Sequence, residues 1–478
     1  MTTNDKKYTV ARTTYCKRLI PRLVIVKVKG GASMTEETSR GDIESTKEKE
    51  WTAADFSQLP EHAQLEKNWT WFQNQKIGVL LHWGLYAQAG IVESWELSDA
   101  DRWARQPKAW RPNMTQLKQD YWGLAQQFAP THYDPAAWAA VFKNAGIRYA
   151  IFTTKHHDGF NMYHTQYSDY HADADLFGAF AQAMTQAGIG VGAYYSKADW
   201  HHPDYWRPDG TPKNRGIDFD RHQDPERWQR YVTFVHHQLT ELAANYGPLR
   251  MLWLDAGWVG DAREPLALDQ IIPALWQKQP QMLAVDRTMG GRFEQYVTPE
   301  RQVPDIQNRP VLPWESNIPL ANNWGYTPGD TYKSIGEIIR TILQVVTLGG
   351  NIVLGVGPKP DGTLPAPASR LLHQLGGWLA LNGQGIYNTR PVAAAAIAAA
   401  RRQGYAITQD DRAYYLFPLA SVPPQTLDLH ALHLPDTQPI VTRLGWQGQP
   451  FPVKAQHVVR LPGSLRQSLH PGLRIAKV

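Results

Sequence analysis

The sequence has almost no cysteine. Cys16 stands alone among 478 residues, so no intramolecular disulfide can form, and neither a cysteine-rich zinc site nor a thiol redox pair can be assembled. A reducing cytoplasm is the simplest home for such a chain, and this length buries a core without covalent staples. Long apolar runs are missing too, since none approaches the roughly 18 residues that a membrane span needs. The nearest thing to a secretory leader, LIPRLVIVKVKGG, is broken by Pro21, Arg22 and Lys27, which argues against a signal peptide. No membrane partner is expected. Charge of one sign is also scarce: 49 Lys and Arg against 44 Asp and Glu leave a formal +5 spread along the chain, which implies no nucleic-acid partner. A nucleophile elbow, a phosphate-cradling glycine loop and an HExxH pair are all lacking. Carboxylates are left as the candidate catalysts.

Aromatic residues, by contrast, are plentiful. The 19 Trp and 21 Tyr exceed what core packing usually asks for, and their faces stack on the apolar sides of sugar rings as readily as they fill a core. Residues 1–50 run into the polar tract TEETSRGDIESTKEKE and are expected to form a disordered extension, with Met34 as an alternative start. From about residue 130 to 290 the chain repeats one unit: a capped amphipathic helix, a stop, a short apolar strand, then polar side chains. Asp134 and Pro135 open the first copy, Asp175 the second, Asp224 and Pro225 the third, each as N-cap or first-turn residue. The strands end in His156 and His157, in Tyr194 and Tyr195, in Asp255, and, in a shorter fourth copy, in Arg287. Helix–strand alternation of this kind implies a parallel sheet, with a (β/α)8-like barrel over residues 51–390 as the leading arrangement. An open doubly wound sheet is the alternative, and it too would line a crevice with these strand ends. Residues 391–478 alternate apolar and polar positions between turns, as in YAITQDDRAYYLFPL, and read as a small antiparallel β-sandwich. The Ala-rich VAAAAIAAARRQ has a helical composition but sits where a linker or first strand is expected.

The run LRMLWLDAGW, Leu249 to Trp258, ends an apolar strand on a carboxylate between Trp253 and Trp258. An aspartate there is costly to desolvate unless it is hydrogen-bonded, paired or reactive. At the carboxyl end of a barrel strand it faces the mouth where such side chains converge. A metal is the other use for this chemistry, with His156, Asp158 and Asp255 as ligands. Adjacent histidines on an extended strand point to opposite sides, so no metal and no cofactor is expected.

The segments taken in order resemble the α-L-fucosidases of glycoside hydrolase family 29. The resemblance rests on IGVLLHWGLYA (Ile77 to Ala87), TTKHHDGF (Thr153 to Phe160), GAYYS (Gly192 to Ser196) and LWLDAG (Leu252 to Gly257). It continues through YVTPE (Tyr296 to Glu300), PWES and NNWGY (Pro313 to Tyr326), GGNIVLGVGPKPDG (Gly349 to Gly362) and GIYNTRP (Gly385 to Pro391). The resemblance implies a barrel followed by a β-sandwich, and retaining hydrolysis of a terminal fucose through a covalent glycosyl-enzyme, with two carboxyl groups flanking the bond. Asp255 matches the nucleophile; Leu254 and Ala256 depart from the family's WFDG.

For the acid/base the resemblance points to Glu300, with Glu315 as rival and Glu294 behind it. Tyr296, Val297 and Pro299 are expected to desolvate Glu300 and raise its pKa. For sugar binding it carries over to His82, His156, His157, Tyr194, Trp253 and Arg287, and to the pair Glu93 and Trp95, where Glu96 is an alternative to Glu93. Trp324 is a candidate for the pocket rim. The substrate class implied is a fucosylated oligosaccharide or glycoconjugate. A barrel glycosidase for another sugar and a non-catalytic carbohydrate-binding relative stay as alternatives, and a homo-oligomer is compatible with the sequence without being required by it.

Overall fold

The computed structural model describes residues 50–207, 214–260, 263–420, 422–435, 437–454, 457–463, 465 and 468–477; the expected extension, Glu50 apart, lies outside the described residues. The capping signals act where the sequence placed them. Asp134, Asp175 and Asp224 each accept a backbone N–H from the first turn of the helices Pro135–Asn144, Leu176–Ala187 and Pro225–Asn245, a contact that stabilises a helix by about 1 kcal/mol. Gly188, in the left-handed region at φ +77°, ends the second of them.

These helices separate strands of one parallel sheet: β1 (Ile77–Leu81), β2 (Tyr149–Lys155), β3 (Gly190–Ser196), β4 (Leu249–Asp255), β5 (Leu283–Asp286), β6 (Glu315–Pro319) and β7 (Asn351–Val356). The seven strands run in the order β5-β4-β3-β2-β1-β7-β6 and curl toward a barrel. Their side chains alternate between two cores. Leu80, Tyr149, Ile151, Tyr194, Met251, Trp253, Leu283, Val285 and Val353 form the inner one, while Val79, Phe152, Ala193, Leu252 and Leu354 meet the surrounding helices. Phe56, Leu65 and Phe72, from helices Ala53–Ser57 and His62–Gln75, complete the inner core. The Asn351 side chain at the start of β7 donates to the Phe72 carbonyl at 2.7 Å, so the longer of these helices plugs the amino-terminal end of the strands.

The place of an eighth strand is taken by an irregular segment. Phe293 and Gln295 bond antiparallel to β5 (Asp286 N to Phe293 O 2.8 Å, Gln295 N to Ala284 O 3.2 Å), then the chain doubles back. Val297 to Arg301 bonds parallel to β6 through Val297, Glu315, Asn317 and Arg301 N–H groups at 2.9–3.1 Å. With only six residues between Asp286 and Phe293 there is no room for a crossover helix, and Pro299 brings no N–H to a ladder.

Beyond the sheet, helix Ala366–Asn382 carries the chain to the antiparallel part. The Trp378 indole donates to the Leu469 and His470 carbonyls, both at 3.1 Å. Strands β8 (Tyr405–Gln409), β9 (Ala413–Pro418), β10 (Thr426–Asp428), β11 (Thr437–Arg443), β12 (Val453–Lys454), β13 (Val458–Arg460) and β14 (Leu473–Lys477) make a four-stranded sheet β11-β14-β9-β8 and a three-stranded sheet β10-β13-β12. The Ala-rich stretch resolves as helix Ala394–Arg402, burying Ala396, Ile397, Ala399 and Ala400. Among the described residues no helix is long and apolar enough to cross a membrane.

Candidate active site

The carboxyl ends of the strands meet as parallel topology demands. Asp255, the last residue of β4, is 14% exposed at its side chain. Its Oδ1 accepts from Arg287 Nη1 at 2.9 Å and its Oδ2 from the Tyr194 hydroxyl at 2.5 Å. His157 Nε2 stands 3.9 Å from the same Oδ2. Burial by itself would push this carboxyl up. Burial is the largest single effect, but the Arg287 charge, His157, the Tyr194 hydrogen bond and His156 together outweigh it and hold the group well below the usual carboxylate range. Asp255 is thus kept ionised. The residue after it, Ala256, which stands in excess of the family's WFDG, takes φ +70° with its side chain fully buried.

Arg287, just beyond β5, bridges to the second carboxylate: its Nη2 donates to Glu300 Oε2 at 2.5 Å. Its guanidinium lies 4.7 Å from the Trp253 ring centroid, and Trp253 stacks on Tyr194 at 5.2 Å. Glu300 sits on the irregular closing segment with 37% of its side chain exposed. Trp324 Nε1 donates to its Oε1 at 3.2 Å. Here the structure corrects an expectation: although burial acts to raise it, the Arg287 cation and hydrogen bond hold the free Glu300 carboxyl below its ordinary value. Desolvation, the effect expected from Tyr296, Val297 and Pro299, is the largest single one, but the Arg287 charge, its hydrogen bond and the Arg301 charge together outweigh it.

The histidines form the other wall. His82 follows β1, and its ring lies 5.4 Å from both Tyr194 and Trp324. Burial lowers its pKa to about 3 and that of His157 to about 4, so both are neutral donors or acceptors near pH 7. His156 and His157 do not splay apart as strand neighbours would. They lie past the end of β2, with ring centroids 4.2 Å apart. Ser94 Oγ is 2.6 Å from His156 Nδ1 and Ser196 Oγ is 2.7 Å from His157 Nδ1. Trp95 packs against His157 at 4.8 Å, and Trp258 at 5.1 Å.

The remaining glutamates separate cleanly. Glu93 Oε1 accepts from the Gly325 N–H at 2.6 Å, beside Trp324, and burial raises its pKa to about 7. Glu96 instead accepts from the Trp110 N–H at 3.0 Å, outside this cluster. Glu294 accepts from the Thr288 and Gly290 N–H groups in the turn after β5. Glu315 is fully buried in the inner core, taking hydrogen bonds from Tyr149 at 2.8 Å and Trp253 at 3.2 Å, and burial raises it to about 7. Asp158, one of the residues weighed as a metal ligand, accepts instead from the Tyr121 hydroxyl at 2.6 Å. Among the described residues no cluster of His, Cys, Asp or Glu has the geometry to hold a metal ion.

A curled parallel sheet with an ionised aspartate at one strand tip, joined through an arginine to a glutamate on the closing segment, has the paired carboxyl groups of a glycoside hydrolase. The sequence profile described as "Alpha-L-fucosidase" matches residues 44–384, and the chain belongs to the α-L-fucosidase family. It is 26% identical over 372 residues to the plasma α-L-fucosidase of Homo sapiens, covering 71% of each chain. Among solved structures it is similar to α-L-fucosidase isoenzyme 1 from Paenibacillus thiaminolyticus, with a TM-score of 0.71 and 27% identity over 87% of this chain and 99% of the other. The fold also matches a family 29 α-L-fucosidase from Bacteroides thetaiotaomicron described as a trapped covalent intermediate with 2-fluoro-fucosyl fluoride. That match has a TM-score of 0.66 and 22% identity, over 91% of this chain and 99% of the other.

Sequence reasoning passed over Ser94 and Ser196, which orient the two histidines, and Thr298, whose hydroxyl is 3.3 Å from Arg287 Nε. Ser196 ends the segment GAYYS, and Ser94 lies between the candidates Glu93 and Trp95. Only the fold shows which polar residue of a motif faces another.

Proposed function

We propose that this chain is a retaining, exo-acting α-L-fucosidase that releases terminal α-L-fucose from an oligosaccharide or glycoconjugate, with Asp255 as nucleophile and Glu300 as acid/base. The observation that carries the reading is the single Arg287 guanidinium spanning both carboxylates. One guanidinium holding both groups brings the two carboxylates to the same face of the pocket, in keeping with the close pair, roughly 5–5.5 Å apart, that the retaining route uses. The Bacteroides relative, described as a trapped covalent intermediate, is in keeping with this route.

In the first step an Asp255 oxygen attacks the anomeric carbon while the bond to the leaving oxygen breaks, and that oxygen takes a proton from Glu300. In the second, water gives its proton back to Glu300 and its oxygen to the anomeric carbon, freeing Asp255. Glu300 must therefore be protonated before the first step although Arg287 favours its anion. Its partial exposure lets it take the proton from solvent, and a sugar seated against Arg287 weakens the bridge that opposes protonation. The neutral histidines, Tyr194, Glu93 and the Trp95 and Trp253 rings supply the hydroxyl partners and the aromatic wall that a deoxy sugar needs.

The test is azide rescue. Asp255→Ala is expected to abolish turnover of an aryl α-L-fucoside and, with azide, to yield the inverted fucosyl azide. Glu300→Ala keeps turnover of activated aryl substrates and yields the retained azide. If Glu315→Ala gives that second pattern and Glu300→Ala does not, the assignment of the acid is wrong. Faster turnover of an aryl galactoside than of the aryl fucoside overturns the sugar assignment.

A further inference from the structure

Arg301 follows Glu300 on the closing segment and takes φ +53°, a left-handed backbone that a long side chain rarely adopts. Its N–H is pinned to the Asn317 carbonyl at 2.9 Å, and its side chain turns out to solvent. Nη1 donates to the Asn322 carbonyl at 2.8 Å, and the guanidinium lies 5.2 Å from the Trp324 ring centroid. The same indole donates from its edge to Glu300. One tryptophan therefore carries the proton donor on its rim and a cation on its face.

The charges around this cation are mostly engaged elsewhere. Asp330, on the neighbouring loop, accepts from the Asn322, Asn323 and Thr331 N–H groups at 3.3, 2.9 and 2.7 Å. Lys333 is held on the Pro319 and Ala321 carbonyls at 2.6 and 2.9 Å. Among the described residues Arg301 forms no ion pair within 4.0 Å; its direct contacts are the Asn322 carbonyl and the Trp324 face, and its charge also acts at longer range on Glu300 and Glu93. An exposed guanidinium so placed keeps N–H donors for an anion from outside.

We infer that Arg301 is a specificity-determining residue that favours fucosides whose leaving sugar carries a negative charge, a sulfate ester or a carboxylate. The inference rests on the reading of Glu300 as acid. The leaving oxygen meets Glu300, so the sugar attached to it extends on that side, away from Asp255. Arg301 stands one residue beyond Glu300 and fixed on Trp324, flanking that path.

The experiment compares kcat/KM for an aryl α-L-fucoside bearing a carboxylate with that of a neutral one of matched leaving-group acidity. A second pair, a fucosyl disaccharide with and without a sulfate ester on its reducing sugar, separates the two sources of charge. The wild-type chain is expected to prefer the charged member by about two- to fivefold, chiefly through KM, the span of an exposed ion pair. That preference fades between about 0.01 and about 1 M ionic strength as the Debye length falls from about 30 to about 3 Å. Arg301→Met brings the ratio to unity and Arg301→Lys restores part of it. Because the ratio is taken within each variant, a general loss of activity does not imitate the effect. A wild-type ratio of one, or a preference that survives in Arg301→Met, overturns the proposal and leaves the fucosidase reading standing. If the wild-type chain turns over neither member of a pair, the fucosidase reading falls and this one with it.

Discussion

At the scale of single residues, Arg287 sets two proton affinities with one charge. It lowers the carboxyls of Asp255 and Glu300 together. In the proposed mechanism activity needs the first ionised, which gives the acid limb of the kcat/KM profile, and the second protonated, which gives the alkaline limb. Removing the cation raises both affinities, so Arg287→Met is expected to shift both limbs toward higher pH as well as to lower the rate; a profile that only sinks without moving counts against this account. Glu315 tests the same logic in reverse. Its carboxyl is raised to about 7 in the fold and lies near about 4.3 in the unfolded chain, so its contribution to stability is complete below the unfolded value and is lost as pH rises through about 7. Glu315→Gln is therefore expected to match the wild type in thermal unfolding near pH 4 and to exceed it near pH 8. The strand-end residues were legible because parallel topology sends them to one mouth. The order of the proton affinities was not, since it depends on a salt bridge between β5 and a segment with no periodicity.

Among elements, β1 and β2 show how closely the inner core is fitted. A Cβ on Gly78 would come within 2.3–2.6 Å of the Tyr149 ring, and Tyr149 carries the hydrogen bond to Glu315. Gly78→Ala is expected to lose about 1–3 kcal/mol of stability in chemical denaturation, the range of core overpacking. The helix starts were legible because a carboxylate cap and a first-turn proline are local chemistry, written in adjacent residues. The closing segment 293–301 was not. Its backbone pairs with Ala284, Asp286, Pro313, Glu315 and Asn317, partners that no local pattern names. The Ala-rich helix 394–402 was undecided from its sequence because its buried face only exists once the antiparallel sheets pack against it.

For the molecule as a whole, the neutral histidines at the mouth make folding sensitive to acid. His82 and His157 have unfolded values near about 6.5 and folded values of about 3 and about 4. The unfolded chain thus binds protons first, and stability declines as pH falls from about 6.5 toward those folded values. The two histidines are expected to lower the midpoint of thermal unfolding between pH 6.5 and 4, a drop opposed by Glu93, Asp158 and Glu315, whose carboxyls burial raises to about 7 and which gain stability over the same range. His82→Gln should make that drop shallower if the variant remains folded, and an unchanged slope would refute the assignment.

The closing segment also bears on how this architecture can change over generations. Asp255 belongs to a strand flanked on both sides by parallel neighbours, so any added residue there would throw the whole ladder out of step. Glu300 hangs between two sheet edges on a few bonds, with an irregular loop, residues 302–313, after it. On the proposed roles, lengthening that loop can relocate the proton donor while the attacking oxygen stays still, and the architecture is free to try new leaving groups without rebuilding its nucleophile.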